Sequence, residues 1–145
     1  MSFDVFLLPS TASPPAGVYD QRVVAAARSV GAWSVSVYGG RTGDGLRYET
    51  YGGGSGAMFA LRGMSPGICA VIFAAAKSTN SYIYATGGLD YAAKLKGTRG
   101  TISRMGMPIK TLNTPKALRA MLEQGYGGWG NFRDKVRARA NPPQS

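Results

Sequence analysis

Arg133, Lys135, Arg137 and Arg139 place four cations within seven residues, next to Trp129 and Phe132. Clustered Lys and Arg neutralise phosphates or carboxylates, and neighbouring aromatic faces take bases or apolar side chains. Lys94, Lys96, Arg99 and Arg104 form a second group, in a glycine-containing stretch expected to be mobile. The candidate partner-binding or polyanion-binding set is therefore Lys94, Lys96, Arg99, Arg104, Trp129, Arg133, Lys135, Arg137 and Arg139. The competing reading makes Trp129 and Phe132 core anchors and the charges a solvated helix face.

The charge balance supports the binding reading. The chain has 17 basic and 7 acidic residues, a net charge of +10. Residues 1–93 hold six basic and five acidic groups, whereas residues 94–145 hold eleven and two. Such asymmetry points to an anionic partner for the C-terminal third: an acidic protein face, nucleic acid or anionic lipid.

Other chemistry is restricted by what is missing. The 145 residues contain no histidine and one cysteine. Zinc sites of the Cys/His kind and Ser-His-Asp or Cys-His nucleophilic sites are excluded. The seven acids are dispersed, so no paired-carboxylate site is legible, although folding could bring Asp44, Glu49 or Asp90 together. The glycine-rich run at 52–56, GGGSG, lacks the following Lys-Ser/Thr of a phosphate loop. It reads as a flexible connection between strands. Cys69 lies in an apolar segment and is expected to be a buried, inert thiol. No cofactor and no metal are expected.

These residues need elements to position them. Ser65-Pro66 is a helix start, with the serine as N-cap and proline at the first helical position. Ile68, Val71, Ile72 and Ala75 follow at helical spacing, and Asn80 suits a left-handed C-cap. Strands are expected on either side, over 57–62 and 82–84. Phe3 to Leu8 predicts a central strand buried on both faces, since Phe3, Val5 and Leu7 alternate with Phe6 and Leu8. Asp20 is expected to cap a helix reaching Val30. Trp33 to Tyr38 alternates cleanly and, with Leu46 to Tyr51, predicts a hairpin turning at 39–45.

Beyond Gly88 a short helix from Asp90 to Lys96 is expected, then edge strands at Thr101-Ile102 and Met107–Leu112. Thr114-Pro115 repeats the Ser65-Pro66 device and predicts a helix that stops at Gly125. A final helical segment begins near Asn131. Phe132 and Val136 form its narrow apolar stripe, flanked by Arg133 and Arg137 on one side and Lys135 and Arg139 on the other.

The fold class expected is α+β. One domain spans 1–140, with a mixed or antiparallel sheet of about five strands, two core-facing helices and a C-terminal helical segment. Residues 141–145 are expected to be a flexible tail. The longest apolar run, about ten residues, is too short for a membrane span. The opening MSFDVFLLPS lacks the early basic residues of a secretory or mitochondrial leader. A cytoplasmic location, or the interior of a larger assembly, follows. The function expected is non-enzymatic docking of an acidic partner, as by an immunity-type inhibitor or an assembly subunit, through the basic C-terminal third. Nonspecific nucleic-acid binding is the alternative, and a small enzyme using Lys or Tyr is the second.

Overall fold

The computed structural model describes residues 2–52, 56–102 and 106–140. Its centre is the expected strand–helix–strand unit: β5 (Ala57–Leu61), α2 (Pro66–Thr79) and β6 (Ser81–Ala85). The Ser65 hydroxyl accepts the Ile68 N–H at 3.2 Å, and Asn80 closes α2 in the left-handed conformation. Ile68, Val71, Ile72, Ala75 and Ala76 are buried.

The remaining elements complete one sheet. In chain order they are β1 (Phe3–Pro9), α1 (Ala16–Ser29), β2 (Trp33–Ser36), β3 (Gly39–Arg41) and β4 (Arg47–Gly52) before the central unit. After it come β7 (Ala92–Leu95), β8 (Ile109–Leu112) and α3 (Pro115–Ala140). The described residues form an eight-stranded sheet of order β2-β3-β4-β5-β1-β6-β7-β8. All neighbours pair antiparallel except β7 and β8, which are parallel.

Strand parity divides the sheet into two faces. Phe3, Val5 and Leu7 lie opposite Leu61, Phe59 and Ala57 on β5, and all six are buried. This is the face on which α1, α2 and α3 pack, because one apolar cluster joins these residues to Tyr19, Ile72 and Leu122. Each of those side chains contributes roughly 1.5–3 kcal/mol when fully buried. The alternate residues, among them Phe6, Leu8, Met58 and Tyr84, are only half-buried. Among the described residues no helix covers them. The expectation that β1 is buried on both sides is thus corrected: Phe6 and Leu8 belong to a face that no helix covers, partly closed at the Leu8 end, where Tyr82 is buried and bonds the Gly100 carbonyl. An antiparallel sheet tolerates this, since only one face has to meet the core.

Five further expectations change. The sheet has eight strands rather than about five, because Gly39–Arg41 pairs within the expected turn and 92–95 pairs within the expected helix. At β7, pairing with β6 and β8 and burial of Ala92, Ala93 and Leu95 override the alanine preference for helix. The clean alternation over 33–38 breaks at a bulge, where Ser34 takes a left-handed φ of 50°, and Trp33 ends 54% exposed. Helix α1 begins at Ala16, a turn before Asp20, with Pro15 at its N-cap. Thr101 and Ile102 are not a strand; Thr101 is joined to Thr11 by a single backbone bond, from the Thr11 N–H to its carbonyl.

The sixth change concerns α3, which passes Gly125 and continues to Ala140. Gly125 and Gly128 do not end it, because they serve as the contact with the Thr86-Gly87 backbone. A Cβ on Gly125 would sit 2.9 Å from the Thr86 carbonyl oxygen, and one on Gly128 would collide with that of Gly87. The two glycines let helix and chain approach without side chains between them. The GGGSG connection lies mostly, and the 141–145 tail wholly, outside the described residues.

Candidate binding surface

Helix α3 runs from one end of the sheet to the other and then past it. It starts beyond β8, where the Thr114 hydroxyl accepts the Ala117 N–H at 3.1 Å. Leu118, Met121 and Leu122 are buried against the core. Trp129, 6% exposed, is the last anchor; its ring lies 6.4 Å from Phe3 and 5.5 Å from Tyr126. The two aromatic residues singled out from the sequence therefore part company, because Phe132 is 59% exposed. The eleven residues from Gly130 to Ala140 carry the helix about 15 Å further.

This projecting end holds most of the candidate cations. The Arg133 guanidinium lies over the Trp129 ring at 4.8 Å and meets the Asp134 carboxylate at 3.3 Å. Lys135, Arg137 and Arg139 are exposed and have no ion pair among the described residues. At 100° per residue, Phe132 and Val136 share one stripe, with Arg133 and Arg137 to one side and Lys135 and Arg139 to the other. Phe132 on this stripe has nothing of its own chain over most of its surface.

The second basic group is elsewhere. Lys94 is half-buried in β7, on the open face beside Thr111 of β8. Lys96 follows the strand and is exposed, its N–H donating to the Leu112 carbonyl at 2.9 Å. Arg99 sits in the next turn. Its N–H donates to the Asn80 side chain at 3.3 Å, and its carbonyl accepts the Ser10 hydroxyl at 2.8 Å. The Arg99 backbone is thus tied on both sides. Arg104 lies outside the described residues. Arg99 stands at the Pro9 end of β1 and Trp129 at the Phe3 end, about 20 Å apart along the strand. The eight described candidates do not form one patch.

The open sheet face adds residues that sequence reasoning missed. A cleft of about 760 Å³ opens over β4 and β5, lined by Arg47, Glu49, Tyr51, Met58 and Arg62. Tyr51 is 55% exposed. Its hydroxyl donates to Glu49 at 2.7 Å, and that bond raises its pKa. Register extends the row: Tyr51 faces Met58, Met58 faces Phe6, and Phe6 faces Tyr84. The Phe6 and Tyr84 rings are 6.2 Å apart. The signal was present as aromatic residues at the non-core parity of three strands. It was legible only once the strands were paired.

Asp44, Glu49 and Asp90 do not gather into one site, although Glu49 shares the open face with Asp4, both opposite Ala60 of β5. Among the described residues no three His, Cys, Asp or Glu side chains gather as a metal site would require. Asp44 is occupied at the N-terminus of α2, where it accepts the Gly67 N–H at 2.9 Å and the Ser65 hydroxyl at 3.0 Å. The Thr42 hydroxyl bonds it too and is the main cause of its lowered pKa. Cys69 is buried, and burial pushes its thiol up to about 11, an unreactive state at neutral pH. No helix among the described residues is long and apolar enough to cross a membrane. Comparison of the chain with protein-family models, with curated proteins and with solved structures finds no match.

Proposed function

We propose that this protein is a non-enzymatic binding module that docks an acidic protein partner through the projecting end of α3, as an immunity-type inhibitor or an assembly subunit would. The observation that carries this reading is the exposed Phe132, on a stripe between two pairs of cations, beyond the last core anchor. An amphipathic helix of this kind lays its apolar stripe into a partner's groove. The flanking cations then meet carboxylates on the rim, which steers encounter and sets orientation.

Nonspecific nucleic-acid binding is the second reading. It is favoured by the separation of the two basic groups to opposite ends of β1, since a polyanion can engage both whereas one groove cannot.

Two variants separate the readings. Phe132→Ser keeps every charge, and a second variant replaces Arg133, Lys135, Arg137 and Arg139 with Gln. A partner held in a groove is lost with either one, measured by affinity capture and calorimetry against the captured partner. Phosphate binding survives Phe132→Ser, and the four-Gln change flattens its salt dependence. A partner retained at wild-type affinity by both variants would remove α3 from the interface.

A further inference from the structure

We propose that the open face of the sheet is a separate binding site for single-stranded nucleic acid, with unpaired bases stacking on Tyr51, Phe6 and Tyr84. This goes beyond the α3 reading, and neither depends on the other.

The placement of the rings comes first. Tyr51, Met58, Phe6 and Tyr84 stand directly opposite one another on four adjacent strands, β4, β5, β1 and β6. They make a continuous row across the sheet, with Tyr51 about 10 Å from Phe6 across the intervening β5. All three helices lie on the other side, so the row is open at Tyr51 and half-buried at Met58, Phe6 and Tyr84; further along the same face Tyr82 and Ala92 are buried, the Tyr82 hydroxyl donating to the Gly100 carbonyl at 3.0 Å. Aromatic faces on a flat platform accept successive unpaired bases whatever their sequence, because every base has a π-face. A duplex, with its bases already stacked, gains nothing from them.

Charge selects the occupant. Arg47 and Arg62 line the cleft at the Tyr51 end of the row, and Lys94 stands on the same face at the other end. The carboxylates of this face are each engaged by a hydroxyl: Asp4 by Ser2 at 2.7 Å, and Glu49 by Tyr51. A neutral hydroxyl does not cancel a carboxylate's charge, so this face sets three cations against two carboxylates, and it is chiefly the chain's net charge of +10 that attracts a polyanion. A second copy of this chain would bring the same cations and the same net charge against themselves, which disfavours it as the occupant.

The test uses a fluorescently labelled oligothymidylate at low salt, read by anisotropy, with photocrosslinking and mass spectrometry to locate the adducts. Tyr51→Leu and Tyr84→Leu keep apolar area but remove the π-face, and Tyr51 is exposed enough for its variant to fold. The expected result is saturable binding, stronger than to duplex of the same sequence, with adducts on Phe6, Tyr51 or Tyr84. Each Leu variant is expected to bind roughly 5- to 150-fold more weakly, the range for loss of one stacked base. The four-Gln variant of α3 is expected to keep the sheet-face adducts, which distinguishes this site from the projecting helix. Absence of binding, preference for duplex, adducts confined to α3, or Leu variants of wild-type affinity would each overturn the proposal. So would a dimer in sedimentation that Tyr51→Leu dissolves, since the second copy would then own the face.

Discussion

Asp44 illustrates what one side chain does in this fold. It is exposed, yet it joins the turn after β3 to the start of α2 by accepting the Gly67 N–H and the Ser65 and Thr42 hydroxyls. A Cβ on Gly67 would collide with the Asp44 carboxylate, so the small residue is part of the same device. Asp44→Ala removes a cap and is expected to cost about 1 kcal/mol in urea unfolding near neutral pH. The pH dependence follows from the lowered pKa. A carboxylate whose folded pKa is depressed contributes stability above its unfolded value, about 3.9, and loses it as pH falls through the folded value. The gap between wild type and Asp44→Ala is therefore expected to narrow in unfolding curves taken below about pH 4. A gap independent of pH would show that the carboxylate charge contributes nothing there.

Helix α3 shows how one element combines packing and display. Gly125 and Gly128 lie against backbone, whereas a Cβ on Gly127 meets nothing within 4 Å. Alanine substitutions at two adjacent positions should then have opposite signs. Gly128→Ala is expected to destabilise by about 1–3 kcal/mol, because overpacking against the Gly87 carbonyl outweighs the helix propensity gained. Gly127→Ala is expected to stabilise by up to about 1 kcal/mol, from propensity alone. Thermal unfolding of the two variants decides whether the close approach is as described.

Trp129 and Phe132 make a second contrast on the same helix. Trp129→Ala empties a site packed against Phe3 and Tyr126 and is expected to cost about 3–5 kcal/mol. Phe132→Ser touches an exposed ring and is expected to stay within about 0.5 kcal/mol of wild type. A large loss of stability from Phe132→Ser would place that ring in the core and withdraw it from any interface.

At the scale of the whole molecule, charge is distributed by end and by face. The projecting tip of α3 lies beyond the Phe3 end of β1, Arg99 lies at the Pro9 end, and the open sheet face spans the distance between. Removing the four cations of α3 takes away mutual repulsion, but it also removes the Arg133 guanidinium from the face of the buried Trp129 ring. The four-Gln variant is expected to melt within about 1 kcal/mol of wild type while the salt dependence of its affinity for anions becomes shallower. A collapse in stability would mean that those side chains hold the fold together.

Local chemistry was legible from residue order alone. The Ser65-Pro66 and Thr114-Pro115 starts, the Asn80 stop, the inert Cys69 and the basic C-terminal third rest on groups close in sequence, whose preferences act over one turn. Pairing decided the rest. Ala92 to Leu95 became a strand because β6 and β8 flank it, and Gly125 failed to end a helix because Thr86-Gly87 lies against it. Which of Trp129 and Phe132 is buried depended on where the sheet stops beneath α3. The row from Tyr51 to Tyr84 joins residues up to 78 positions apart on strands whose order only the folded sheet establishes. Neighbours in the chain share backbone geometry; neighbours across a sheet share only the core they are packed against.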